Sequence, residues 1–382
     1  MLRGVTTPPA PKPDTPTPDA PTPDAPAPGP ASTAPALTRR AWRIPRAGSL
    51  ARLALVEEPL PPPAAGEVQV DVAAVGVNFA DIFACQGLYS ATPSGSFVPG
   101  LEAAGTVRAV GAGVTTHRSG DRVIVLTRFG GYASRLNIGA EYLWPLPEGW
   151  SFEDGAAYPV QALTAWYGLV ELGRARAGSV VLVQSAAGGV GLNALHALRR
   201  IAARPVAVVG RPAKREWLAR EYGLDPAAIV LRDERYAANL DAALAHLGVG
   251  GFDVVFDAVY GPAFRPAFER LAPEGRLVLY GAADFMGDGR RPNPLRLAWR
   301  WLRRPRLDPL AMISQNRGLL AFNLIWLWGE AARLPAAMQA TLALIPERPR
   351  LGGVWAFADA HAALAALQSG ETTGKLVLRV DD

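Results

Sequence analysis

VLVQSAAGGVGLNALHALRR, residues 181–200, decides the fold of this chain. An apolar run ends in small residues, passes Gly188, Gly189 and Gly191, and continues with apolar positions at helical spacing. A strand that turns sharply into a helix leaves the first backbone N–H groups of the helix without partners, and glycines let a ligand come close to them. Ala187, Gly188, Gly189 and Val190 then form a cradle for the diphosphate of a dinucleotide. AAGGVG is a variant of the strict G-x-G-x-x-G spacing, and a glycine-rich turn can also be purely structural. Context carries the reading: a strand precedes the turn, a helix follows, and a second apolar run, RPVAVVGR (204–211), ends about twenty residues later.

Outward from this unit the same rhythm persists. Helical patterns alternate with the short apolar runs AAIVL, FDVVFDAV and GRLVLYGA, as parallel strands buried on both faces require. Repetition of strand and helix predicts a doubly wound Rossmann sheet over residues 161–339. Residues 41–160 have another character. GEVQVDVAAVGV, GTVRAVGAGV and GDRVIVL are strand-like and separated by glycine corners, which predicts a barrel-like β-rich domain. The last stretch, 340–382, ends as helix, turn and strand and is expected to rejoin that first domain. The whole is an α/β protein.

The chain has 382 residues, 49% hydrophobic and 19% charged, a globular balance. Residues 1–36 hold 12 of the 35 prolines and repeat TPDAP, so residues 1–40 are expected to be a disordered tail. The tail carries two basic and three acidic residues, leaving 37 basic against 31 acidic, or +6, in the body. That excess does not call for nucleic acid as a partner. Cys85 is the one cysteine, which excludes an internal disulfide framework and a cysteine-rich zinc site and fits a cytoplasmic protein. No apolar run reaches the roughly 18 residues of a membrane span.

The end of the second strand selects the coenzyme. An NAD site usually carries Asp or Glu there for the ribose 2′-hydroxyl. Here Gly210 is followed by Arg211 and, one turn on, Lys214. Without a carboxylate, two cations can pair with a 2′-phosphate, which favours NADPH; the same cations also fit a solvated surface.

The ordered motifs GEVQVDVAAVGVNFADIFACQGLY, VPGLEAAGTV, GDRV, GGYASRL, AAYPVQALTAWYGL, VLVQSAAGGVG and TGKLVLRV resemble the medium-chain dehydrogenase/reductase superfamily, in its zinc-independent quinone oxidoreductase branch. ISQNRGLLAFNLIWLW and VWAFADAHAAL are most similar to the vesicle amine transport protein homologues of that branch. The resemblance implies a GroES-like catalytic domain with an inserted coenzyme domain, a cleft between them, and a homodimer. It places Asn78 and Leu101 where zinc members carry a Cys and a His, while Glu102 is kept, so no metal is expected. Asn78, Asp81 and Tyr89 become the candidate catalytic residues, Tyr89 being the one with a proton to donate. A turn cap for the first two and a packed aromatic for Tyr89 stand as plain alternatives. Thr164, Ala258, Val259, Gly281, Ala282, Asn323 and Lys375 match positions near the coenzyme. Leu231 stands where many NADPH-dependent relatives carry Tyr, with Arg232 beside it as a substitute cation.

The expected activity is zinc-free, NADPH-dependent hydride transfer to a quinone or an α,β-unsaturated carbonyl. Conjugated acceptors delocalise the developing charge and so need a Lewis acid less. One segment stands outside this scheme. Between Arg290 and Arg306 lie seven arginines and no acid, interleaved with Leu295, Leu297, Trp299, Trp301 and Leu302. This basic insert, at about 286–310, suits an anionic membrane surface, a lid over the cleft or a subunit contact. A dinucleotide-binding peripheral-membrane or partner-binding protein with little turnover is the alternative function.

Overall fold

The computed structural model describes residues 37–287 and 289–381, apart from the side chains of residues 328–331. The proline-rich stretch 1–36 lies outside the described residues. Residues 37–40, expected to belong to the tail, are part of a strand. Strand β1 (Leu37–Arg43) pairs antiparallel with β2 (Ala54–Leu60), Leu37 opposite Leu60. Residues 37–43 contain no proline, so every position keeps the N–H a ladder needs. Glu58 fastens the pair by accepting from Arg39 and Arg43.

The chain then builds β3 (Glu67–Val77), α1 (Phe79–Gln86), β4 (Glu102–Val110), β5 (Arg122–Leu126), β6 (Arg135–Gly139), β7 (Leu143–Pro145), α2 (Phe152–Ala156) and α3 (Pro159–Trp166). Its second half runs β8 (Val180–Val183), α4 (Gly189–Ile201), β9 (Arg204–Val209), α5 (Pro212–Tyr222), β10 (Ile229–Leu231), α6 (Tyr236–Leu247), β11 (Phe252–Asp257), α7 (Phe264–Glu269) and β12 (Leu271–Leu279). The basic insert follows as α8 (Pro294–Leu302) and α9 (Pro309–Gln315), then β13 (Gly318–Ala321) and α10 (Leu334–Leu344). The chain closes with β14 (Leu351–Ala356), α11 (Ala360–Ser369) and β15 (Lys375–Arg379).

Six strands form a parallel sheet in the order β10-β9-β8-β11-β12-β13. Alternation along each strand explains why these runs are apolar throughout. Val181 and Val183 of β8 enter the core beneath α3 and α4, whereas Val180 and Leu182 enter the core beneath α6 and α7. The other sheet runs β14-β15-β3-β4-β5-β7, with β6 also on β3. Its C-terminal strands, β14 and β15, show that the chain end returns to the first sheet. The β-rich portion and the parallel sheet set within it are therefore both present. The expected boundaries near residues 160 and 340 fall inside α3 and α10. These two helices pack on each other between the sheets, so no change of composition marks the crossing.

Candidate functional site

The glycine turn has the shape its sequence requires. Ser185 adopts a left-handed φ of 53°, Gly188 is the extended N-cap of α4, and no side chain caps that helix. A Cβ on Gly191 would stand 2.6 Å from the Cα of Ala186 and from the carbonyl of Ser185, so only glycine lets α4 start this close to β8. A Cβ on Gly189 would stand 2.8 Å from Gln161 Oε1. Gly188 spends its N–H on the Ser185 carbonyl at 2.9 Å, while the start of α4 carries no side-chain cap, which fits a diphosphate at the helix N-terminus. Gly374 donates its N–H to the Ala187 carbonyl at 2.9 Å and pairs with Gly188, tying the start of β15 to the turn.

Three cations collect beyond β9. The Arg211 guanidinium donates to the Ser369 carbonyl at 3.1 Å and lies 3.3 Å from the Glu371 carboxylate. Lys214 Nζ donates to the carbonyls of Gly370 and Thr372 at 2.7 and 2.6 Å. Arg232 sits over Gly210, where a Cβ would stand 3.3 Å from its Nη2, and reaches Gln184 Oε1 at 3.4 Å. Burial, followed by the charges of Arg211 and Arg232, pulls the Lys214 ammonium down to about 8. These three side chains form one positive cluster. At the same C-terminal end of the parallel strands, Ala258 and Val259 follow β11 and Gly281 and Ala282 follow β12. The N–H groups of Ala283 and Asp284 donate to the carbonyls of Ala258 and Val259 at 3.1 and 3.0 Å, joining the two segments in one floor.

A buried polar network centres on Asn78, the residue ahead of α1. Its amide nitrogen donates to Glu102 Oε1 at 2.8 Å, and its oxygen accepts from Gln161 at 2.6 Å and Lys375 Nζ at 2.7 Å. Lys375 also pairs with Glu102 at 2.6 Å, their side chains 4% and 0% exposed. The glutamate that zinc members share is thus neutralised by the protein's own ammonium. Burial pushes the Lys375 ammonium down, and Glu102 opposes that shift. Asp81 lies behind Asn78. Its carboxylate accepts the Asn78 N–H at 2.8 Å and the Tyr132 hydroxyl at 3.1 Å, while Oδ1 has no partner among the described residues. Burial raises Asp81 to about 7.

Tyr89 donates its hydroxyl to Asn323 Oδ1 at 2.7 Å, which links the first half of the chain to the segment after β13. Burial raises the Tyr89 phenol to about 12, so it keeps its proton at neutral pH. Thr164 is buried on α3, three residues beyond Gln161.

Sequence reasoning missed Gln161, Tyr132 and Glu371, and saw Glu102 without its lysine. Gln161 had a signal, since it is the lone amide within the run AAYPVQALTAW. The pairing of Glu102 with Lys375 had none, because 273 positions separate them and no local pattern joins β4 to β15. The four histidines serve other contacts: His361 bonds the Leu53 carbonyl, for example, and no cluster of metal-ligating side chains occurs among the described residues.

Two family models match, "Alcohol dehydrogenase GroES-like domain" over residues 64–157 and "Zinc-binding dehydrogenase" over residues 227–378. The synaptic vesicle membrane protein VAT-1 homolog of Rattus norvegicus is 32% identical over 336 residues, covering 87% of this chain and 81% of that protein. The quinone oxidoreductase of Thermus thermophilus, solved also with NADPH, superposes with a TM-score of 0.70 at 32% identity, covering 89% of this chain and 99% of that one. A mycobacterial protein, Rv1454c, solved with NADPH, gives a TM-score of 0.76 at 27% identity over the same shares.

Proposed function

Because this chain belongs to the zinc-independent quinone oxidoreductase branch of the medium-chain dehydrogenase/reductase superfamily, we propose that it uses NADPH to reduce a quinone or an α,β-unsaturated carbonyl without zinc. The observation that carries this reading is the cluster of Arg211, Lys214 and Arg232 beyond β9, where an NAD site would present a carboxylate. The glycine turn would hold the diphosphate, and the floor of Ala258, Val259, Gly281 and Ala282 would border the coenzyme, as would Thr164. When bound, the reduced nicotinamide supplies the hydride.

The protein's own groups do the rest. Tyr89 is the hydrogen-bond donor for the acceptor's oxygen, freed from Asn323 as substrate enters. Asn78 acts as a positioning residue, since its amide is engaged by Glu102, Gln161 and Lys375. Asp81 supports it from behind. The Lys375–Glu102 pair favours the zinc-free reading, because the glutamate already has its counter-charge. The edge strand β13 supports a homodimer, and the single cysteine supports a cytoplasmic setting.

Fluorescence titration with NADPH and NADH tests the proposal. Wild type should prefer NADPH, and Arg211→Ala should lose about 1.5–3 kcal/mol of NADPH affinity with NADH unaffected. Equal coenzyme affinities with a silent Arg211→Ala would reject it. NADPH oxidation on a panel of quinones and enones then checks the reaction, and one zinc per purified chain would overturn the metal-free mechanism.

A second reading adds membrane contact. Leu295, Trp299, Trp301 and Leu302 on α8, with Leu310 and Ile313 on α9, are exposed large apolar side chains beside the arginine run, a composition that suits an anionic bilayer surface. No helix among the described residues is long and apolar enough to cross a membrane.

A further inference from the structure

The segment between α11 and β15, residues 370–374, is fastened at both ends to the coenzyme side of the parallel sheet. At one end the carbonyls of Ser369, Gly370 and Thr372 hold Arg211 and Lys214. At the other, Gly374 pairs with the glycine turn and Lys375 enters the Asn78 network. Glu371 stands between these anchors with its carboxylate 3.3 Å from Arg211 Nη1. It also acts electrostatically on Lys214, against the charges of Arg211 and Arg232. The side chains of Arg211 and Glu371 are 51% and 67% exposed, so the pair contributes little to stability. Its position is what matters: a carboxylate already stands against the cations that a phosphate would pair with.

We infer that Glu371 is the protein's own occupant of the 2′-phosphate position, a counter-anion that the coenzyme's phosphate must displace, and so a residue that sets the NADPH-to-NADH preference. The inference rests on the NADPH reading above. A phosphate carries close to two negative charges and three acceptor oxygens against one charge and two oxygens for the carboxylate, so it wins the cations in direct competition. NADH brings no phosphate and leaves Glu371 where it is. Glu371 therefore weakens NADPH binding without affecting NADH.

Glu371→Gln keeps the shape and removes the charge at an exposed site, so folding is retained. Binding is read with NADPH, NADH and adenosine 2′,5′-bisphosphate, the last being the phosphate-bearing half of the coenzyme alone. The variant should bind NADPH and the bisphosphate about two- to fivefold more tightly and NADH unchanged. The gain should vanish in an Arg211→Ala background, since the charge then has no partner to release. An Arg211→Ala that weakens NADPH beside a silent Glu371→Gln, or a Glu371→Gln that shifts both coenzymes equally, would overturn the inference while leaving the NADPH reading standing. If Arg211→Ala itself left NADPH unaffected, the phosphate site would be rejected and this inference with it.

Discussion

Lys375 concentrates the energetic risk of the site in one side chain. It is buried, paired with Glu102 and bonded to Asn78. Lys375→Met would leave the Glu102 charge buried without its partner, which costs about 3–5 kcal/mol, and Glu102→Gln in the same chain should recover much of that. Urea denaturation of the single and double variants measures both; a single variant as stable as wild type would refute the burial argument. Asp81 makes a second residue-scale prediction. Its carboxyl is raised from 3.8 to about 7, so between those values the folded state binds more protons than the unfolded. Asp81 therefore makes stability fall as pH rises through that window, with a slope of up to about 1.4 kcal/mol per pH unit, and adds no further slope above it. Asp81→Asn should remove that component; parallel pH profiles of wild type and variant would contradict it. Neither behaviour was legible in the sequence, where Asp81 is an acid near a helix start and Lys375 one lysine in a strand.

At the scale of elements, the strand-turn-helix unit of β8 and α4 was legible because every constraint in it is local. The apolar run, the glycines and the helical period lie within twenty residues, 181–200. Gly191→Ala tests the unit. Its Cβ would meet backbone at 2.6 Å, and backbone cannot rotate away as Gln161 can from Gly189. The cost should be about 1–3 kcal/mol of stability together with lost NADPH binding, read by denaturation and by coenzyme fluorescence. An unchanged protein would mean the turn has room that its geometry denies. The basic insert was legible as composition, and its helices follow from local chemistry: Asn293 and Asp308 accept the Arg296 and Leu310 N–H groups, and Pro294 and Pro309 take the first helical positions. What the insert faces was not legible, because an exposed Trp and a buried Trp share one letter.

On the whole-molecule scale, α8 and α9 leave six large apolar side chains exposed, Leu295 at 81%, and Trp299 and Leu302 among them line a cavity of about 680 Å3 together with Arg265, Arg300, Arg303, Arg304 and Arg306. Vesicles containing phosphatidylglycerol should sediment the protein at low salt, and neutral phosphatidylcholine vesicles should not. Binding should weaken as salt rises and in the double variant Trp299→Ser with Leu302→Ser. Failure to sediment with anionic vesicles at low ionic strength would remove the membrane reading.

The amino-acid sequence alone determined the parallel sheet, the glycine cradle and the cations after β9, because strand period, turn chemistry and the absence of a carboxylate are readable within a few dozen neighbouring residues. Only the tertiary structure decided that Lys375 neutralises Glu102, that Tyr89 bonds Asn323 and that Glu371 lies on Arg211. Each of those contacts joins segments more than 150 positions apart, and such partners are chosen by the packing of two sheets rather than by any local pattern.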